Sequence, residues 1–293
     1  MLKRYAAFIV PLLLTAGFLL LTGCSIFLTG EDTAFHALII GIDEYIDPGI
    51  ADLNYCVNDA IEMRGRLLQL GWKNEEVTLL LDGEATKDAI LSAIGSTVDD
   101  STPGDYILIY FSGHGSCVTD ASGDEKDGVD EAIVPVDFVS GNVNTLLLDD
   151  DLGEAFMWCA TEKGVFIFDS CNSGGFIASS LTKGTEKQSR YTQTAATRGP
   201  GANGDLDIVH IPVMTASAEN EDSFEYATLQ HGAFTYFLLD GLDGPAADSN
   251  RDGYISIREL FDHAEIQTEQ YTGHFQHPQL KFHREFLDIL ITR

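Results

Sequence analysis

The chain has 293 residues, 44% of them hydrophobic, and its 46 acidic against 17 basic side chains give a formal charge of -29. That length and apolar content suit a globular chain with a full core and argue against extensive disorder. So acidic a molecule is a poor partner for nucleic acid or an anionic membrane surface and a good one for cations, although most of its carboxylates need no role beyond solvating the surface.

At the N-terminus, Lys3 and Arg4 precede an apolar run from Ala6 to Leu21 that contains no acidic residue. This is the charge and hydropathy profile of a signal-peptide core. Leu21-Thr22-Gly23-Cys24 follows at once and fits the small-residue pattern cleaved before a lipid-modified cysteine. The reading is a leader over residues 1–23, lipidation at Cys24, a tether over 24–33 and one domain over 34–293, anchored by lipid to a cell membrane or outer membrane on the extracytoplasmic side. An uncleaved anchor and ordinary secretion are the alternatives.

Phe35 to Ile42 is an apolar run too short for a helix and bounded by turn residues, so it predicts a buried strand. Helical spacing over Cys56–Leu70, strand character at Val77–Leu81, a helix over Thr86–Val98 and a strand at Tyr106–Phe111 continue the alternation. A Gly/Asp-rich loop over Asp120–Asp130 leads to a helix over Asp150–Cys159, then to strands at Val165–Phe168 and Ile208–Ala216. Helices over Ala233–Leu242 and Ile257–Gln270 follow, and Phe286–Ile291 is a candidate closing strand. Strands alternating with helices imply an α/β fold, with a mostly parallel central sheet and helices on both faces. Residues 179–207 are rich in Gly, Ser, Thr and basic side chains without apolar periodicity and read as an exposed linker.

Two motifs stand at strand ends: Ser112-Gly113-His114-Gly115 after the strand ending at Phe111, and Asp169-Ser170-Cys171-Asn172-Ser173-Gly174 after the strand ending at Phe168. Groups just beyond the carboxyl ends of strands in an open parallel sheet share one crevice. A thiol attacks a carbonyl well only as thiolate, and an imidazole that takes its proton can later protonate the leaving amine. Cys171 is thus the candidate nucleophile and His114 its base, with the N–H groups of Gly115 and Cys171 as an oxyanion hole. Of the remaining cysteines, Cys56, Cys117 and Cys159 show no paired spacing that suggests a zinc site or a disulfide framework.

These motifs resemble the two catalytic motifs of the metacaspases and bacterial caspase-like peptidases. Phe35–Gly41, Cys56–Ala60, Asp130–Asp137 and Gly232–Thr235 are similar to further segments of that family. The resemblance implies a caspase-like fold and a cysteine endopeptidase. It also implies a pocket for the residue preceding the cut bond, lined by Asp59, Asp169 and Ser112. Carboxylates there favour Arg or Lys through charge-assisted hydrogen bonds and repel Asp. Animal caspases differ, with Gln and Ala before the cysteine where this chain has Asp169 and Ser170.

Asp248 to Glu259 fits the twelve-position EF-hand calcium loop: Asp248, Asn250, Asp252 and Ser256 supply side-chain oxygens, Tyr254 a backbone carbonyl and Glu259 a bidentate carboxylate, with Gly253 at the sharp turn. A second acidic group comprises Asp124, Glu125, Asp127, Asp130 and Asp149-Asp150-Asp151. By the resemblance, Asp130, Asp149 and Asp150 match positions that bind an activating calcium, while the family's further ligand falls at Ala178. The sequence therefore points to a monomeric cysteine endopeptidase cutting after Arg or Lys, calcium-assisted and self-processing within 179–207. A non-catalytic calcium-responsive surface protein on the same fold, and a peptidase with Asp specificity, remain the alternatives.

Overall fold

The computed structural model describes residues 33–121, 123, 128–170, 192–193, 211–218 and 221–281. Its central sheet contains β1 (Phe35–Gly41), β2 (Val77–Leu81), β3 (Tyr106–Ser112), β7 (Gly164–Asp169), β9 (Val213–Thr215) and β12 (Gln279–Lys281), in the order β12-β9-β7-β3-β1-β2. Five of these strands run parallel and only β12 is antiparallel, against β9. The apolar runs of β1, β3 and β7 are buried along nearly their whole length, as strands covered on both faces must be.

Successive residues of each strand feed opposite layers. Leu38, Ile40, Ile109 and Phe166 pack with α2 (Lys87–Asp99) and α3 (Asp149–Phe156). Ile39, Leu108, Tyr110 and Ile167 pack with α1 (Cys56–Gln69), α4 (Ala233–Asp243) and α5 (Ile257–Tyr271). Helices thus cover both faces, as the alternation of elements predicted. Among the described residues no helix is long and apolar enough to cross a membrane. Residues 1–32, with Cys24, lie outside the described residues.

Several expectations need correction. The helix expected over Asp150–Cys159 starts at Asp149 and stops at Phe156. Its start is set by Asp151, whose carboxylate accepts from Leu148 N and Lys87 Nζ. Its end follows the last buried apolar side chain, since Met157 and Trp158 face solvent. The stretch around the Gly/Asp-rich loop also holds strands not anticipated. β4 (Gly115–Thr119) and β5 (Val129–Ile133) pair antiparallel, with β6 (Leu147–Leu148) beside β5. Within the expected linker, β8 (Thr192–Gln193) pairs with Cys117–Val118. Only Val213–Thr215 of the strand expected over Ile208–Ala216 is extended in the sheet, and 208–210 are not described. Among the described residues β12 is the edge beside β9, and the candidate closing strand at Phe286–Ile291 lies outside them.

Candidate active site

β3 and β7 are neighbours in register, so their carboxyl ends coincide: Ser112 is the partner of Asp169, and Gly113 N donates to Asp169 O at 3.3 Å. Both motifs therefore open into one cavity of about 560 Å³, lined by His114, Gly115, Asp59, Ser112, Asp169 and Ser170 among others. Cys171 lies outside the described residues, one peptide bond beyond Ser170. Ser217 Oγ donates to Ser170 O at 3.4 Å and ties the end of that motif to the residues after β9.

His114 is held at two points. Its backbone N donates to the Tyr45 hydroxyl at 2.9 Å, and its Nε2 is 2.7 Å from Ala51 O. A carbonyl oxygen only accepts, so Nε2 carries the proton and Nδ1 is the basic nitrogen of the neutral ring. Tyr45 also packs its ring against the imidazole at 5.0 Å between centroids. Gly113 is required by this crowding, since a Cβ there would stand 2.7 Å from Phe111 Cζ and 3.2 Å from the Tyr45 hydroxyl.

Gly115 pairs with Ile133 across β4 and β5, while His114 O accepts from Val134 N. That combination makes Gly115–Ile133 a pair without mutual hydrogen bonds, so the Gly115 N–H points away from β5 and is not spent on the ladder. Gly115 lines the cavity.

Asp59 and Asp169 form the cavity floor. Asp59 is wholly buried and Asp169 is 5% exposed. α1 reaches the floor because Gly41 lets it approach β1: a Cβ on Gly41 would be 2.4 Å from Cys56 O. Asp59 accepts from Ser112 Oγ at 2.9 Å, and from His231 Nδ1 at 2.7 Å when that nitrogen is protonated. Gly232 N lies 3.3 Å from both of its carboxylate oxygens. Asp169 accepts from Ser223 Oγ at 2.6 Å and from the backbone N and hydroxyl of Thr235 at 3.1 and 2.7 Å. The carboxylates meet at β11 (His231–Gly232), where a Cβ on Gly232 would be 2.6 Å from Asp169 Oδ2 and 3.3 Å from Asp59 Oδ2.

Burial pushes Asp59 up to about 7 and the charge of Asp169 adds to the rise, against the lowering effect of its hydrogen-bond donors. Asp169 is raised as well, by burial above all, with Ser223 and Thr235 opposing. A desolvated pair of like charges is costly without a cation between them.

Residues 34–287 match the family model described as caspase domain, of the C14 peptidases. The chain belongs to this family. Metacaspase-1 of Pyricularia oryzae is 36% identical over 148 residues, 47% of this chain and 36% of that protein. Metacaspase-1 of Botryotinia fuckeliana is 32% identical over 195 residues, 63% of this chain and 45% of that protein. The chain thus spans less than half the length of these relatives. A crystal structure of a protein from Geobacter sulfurreducens shares the fold, with a TM-score of 0.61 and 23% identity over 87% of this chain and 97% of that one.

Within this caspase domain, sequence reasoning placed Ser112, His114, Gly115, Asp59 and Asp169 in one cavity, and the structure brings these five together. It missed Ser223, His231 and Thr235, which hold the two carboxylates. The only signal was the family-like segment Gly232–Thr235, which carried no role. It also missed Glu225, which lines the cavity and accepts from Tyr55 N at 2.9 Å. Oxygens of Asp43 and Glu225 and the Cys56 sulfur lie within 4.8 Å of one another. Both carboxylates, however, accept from the backbone at the start of α1, and burial pushes the Cys56 thiol well above its ordinary range. They cap a helix N-terminus there, as anions do.

The two calcium candidates differ. In the Asp248–Glu259 loop, Asp248 accepts from Asp252 N and Gly253 N, and Asn250 Oδ1 also accepts from Asp252 N. Left-handed φ values of 63° at Arg251 and 89° at Gly253 make the turn. Glu259 closes the loop by accepting from Asn250 N and from Ser256 N and Oγ, and the bond from Ser256 N, with Glu259 N donating to Ser256 Oγ, is the capping box of α5. In the second group, Asp130, Asp149 and Asp150 are each under 5% exposed. Asp130 lies on β5, which pairs with β6 at Ala132↔Leu148, and Asp149 and Asp150 open α3 directly after β6. Asp124, Glu125, Asp127 and Ala178 lie outside the described residues. Both groups offer the hard oxygen donors that suit calcium.

Proposed function

We propose that this protein is a cysteine endopeptidase that cuts after Arg or Lys. The observation that carries this reading is the floor of buried Asp59 and Asp169 in the cavity that His114 lines, two carboxylates partnered by hydroxyls, backbone N–H groups and His231 and deep enough to take a cation from a substrate. His114 Nδ1 takes the proton of the Cys171 thiol, and the thiolate forms a bond to the scissile carbonyl carbon while the carbonyl oxygen gains charge against the N–H groups of Gly115 and Cys171. Collapse expels the amine, which receives the proton from His114, and water then hydrolyses the thioester with His114 as base. Ala51 O keeps the ring in the tautomer that this sequence of transfers needs. The overall acidity of the chain adds attraction for basic substrates.

The same proposal extends to the rest of the molecule. Cys24 carries a lipid that anchors a monomeric enzyme outside the cytoplasm, and self-cleavage falls within 179–207 at Lys183, Lys187, Arg190 or Arg198. Calcium binds at Asp248, Asn250, Asp252, Tyr254, Ser256 and Glu259, where it stiffens the fold. An activating calcium is held by Asp130, Asp149 and Asp150.

A fluorogenic peptide library, incubated with leaderless wild type and Cys171→Ala protein with and without calcium, tests the core of this reading. Turnover confined to peptides with Arg or Lys at the cleaved position, and absent in Cys171→Ala, is expected. Turnover by a folded Cys171→Ala protein removes the mechanism, and preference for Asp removes the pocket assignment.

A further inference from the structure

We propose that His231 is the positioning residue of the Arg/Lys pocket, fixing the orientation of Asp59 and setting how much negative charge the pocket shows to a basic side chain. The inference rests on the pocket reading above and deepens it. Asp59 and Gly232 line the cavity, and His231 stands behind them, 5% exposed, with Nδ1 2.7 Å from Asp59 Oδ1. Ser112 donates only to Oδ2. Without the imidazole, Oδ1 keeps only the long contact of 3.3 Å to Gly232 N, and the carboxylate is free to turn.

The other imidazole nitrogen faces outward. His231 Nε2 is 3.5 Å from Glu62 Oε2, on a side chain half exposed, and 3.5 Å from Asn58 Nδ2. Protons thus have a route from solvent through Glu62 that avoids the substrate cavity. The groups facing the ring are Asp59, Glu62 and Asn58 from α1, Asp169 from β7, and the Tyr236 ring of α4 at 6.0 Å.

With both carboxylates ionised, a protonated His231 leaves a local charge of about -1 and a neutral one about -2, by simple addition of formal charges. A guanidinium entering the floor meets a more negative site in the second state. Burial lowers the proton affinity of His231, but the hydrogen bond and charge of Asp59, with Glu62 and Asp169, outweigh it and the net direction is upward. Asp59 itself sits at about 7. The pair therefore exchanges protons across the neutral range. Acidification fills it and weakens the grip on Arg, and a rise in pH empties it and strengthens the grip.

The test uses wild type and His231→Asn, which keeps a donor for Asp59 but cannot become cationic. Inhibition by benzamidine, a small arginine-like cation, is measured from about pH 5.5 to 9, together with KM and kcat on an Arg reporter peptide and the rate of thiol alkylation. Wild-type benzamidine affinity should rise about tenfold or more across this range, as expected for gain of a charge-assisted hydrogen bond. In His231→Asn the midpoint should move to higher pH, because Asp59 has lost its cationic neighbour. The change should fall on Ki and KM more than on kcat, with the alkylation profile unmoved. Superimposable profiles, or an equal loss in kcat and kcat/KM at every pH, overturn the proposal. Should His231→Asn fail to fold, a flat wild-type profile overturns it equally. A wild-type enzyme that neither prefers Arg or Lys nor binds benzamidine at any pH brings down the pocket reading and this inference together. Basic preference with superimposed profiles sinks this inference alone.

Discussion

Two regions of the molecule are built from aspartates, and they use them in opposite ways. At the cavity floor, Asp59 and Asp169 are buried on rigid elements, fully engaged by donors from β3, β11, α4 and Ser223, and pushed upward by desolvation. In the Asp248–Glu259 loop Asp248 is half-buried and Asp252 exposed, and both accept from the backbone of their own turn. The closing carboxylate of that loop is lowered: burial opposes ionisation, but the donors of Ser256, Asn250 and Ser249 prevail. Burial cost thus decides the chemistry of a carboxylate more than its identity does. The floor stores unfavourable energy that a cation relieves, whereas at the closing carboxylate of the loop the local donors already favour the ionised form.

The largest expected effect tests the floor. Asp59→Asn keeps the shape and removes the charge, and a hydrogen bond to a charged partner is worth on the order of 1.5 to 3 kcal/mol. The loss in kcat/KM on Arg substrates should therefore be about tenfold to a few hundredfold, while alkylation of the Cys171 thiol stays near wild type. Asp248→Asn should change kcat/KM far less. Equal effects of the two substitutions on Arg substrates would erase the distinction between floor and loop.

Gly232→Ala probes the same floor sterically. The added Cβ meets Asp169 Oδ2 at 2.6 Å, and the overpacking should cost about 1 to 3 kcal/mol. Thermal denaturation reads the stability loss, and a raised KM for Arg peptides reads the displaced carboxylate. A fully stable variant with normal KM would mean that the two carboxylates move apart freely.

The pH dependence of stability follows from the same burial. Asp59 sits at about 7, above its ordinary value, so the stability linked to it is present at acid pH and lost as pH rises through 7. His231 is also raised, so its contribution is lost in the same direction. In a Cys171→Ala background, Asp59→Asn should gain on its parent by about 1 to 2 kcal/mol between pH 5 and pH 8, part of the ~2.7 kcal/mol that the two units from pH 5 to about 7 carry at ~1.4 kcal/mol each. Denaturant titration at both pH values measures it. A relative loss at pH 8 would show that the donors around Asp59 outweigh its desolvation.

How much of this was legible in the sequence also divides by region. The parallel strands announced themselves because burial on both faces forces unbroken apolar runs at Phe35–Gly41, Tyr106–Ser112 and Gly164–Asp169. β4, β5 and β6 did not, because Gly115–Thr119 is mixed in polarity and Leu147–Leu148 is two residues long. The two motifs put His114 and Asp169 after neighbouring strands, the family resemblance added Asp59, and all three line one cavity. The residues that set their chemistry were hidden for a physical reason: Ser223, His231 and Thr235 lie more than fifty residues away in the chain from the carboxylates they hold. Contacts of that separation leave no periodicity. The loop is the reverse case, since its hydrogen bonds close within twelve positions and its pattern is written in the local sequence.

The smallest effect bears on that loop and sharpens its side of the comparison. Glu259 has two uses that one substitution separates. As the third residue of α5 it completes a capping box with Ser256, a role that Gln fills as well as Glu. As the twelfth position of a calcium loop it must supply two anionic oxygens, which Gln cannot. In calcium-free buffer, Glu259→Gln should therefore cost less than about 1 kcal/mol. With calcium at a hundred times its dissociation constant, wild type should gain about 2.7 kcal/mol, and the variant should lose most of that gain. Thermal melts of both proteins with and without calcium give the four numbers needed. If calcium moves neither melting temperature, Glu259 serves the helix alone, and the loop's aspartates do no more than bend a surface turn. If it moves both equally, the ion sits elsewhere, and the buried group of Asp130, Asp149 and Asp150 becomes the place to look, because it offers hard oxygen donors away from bulk water.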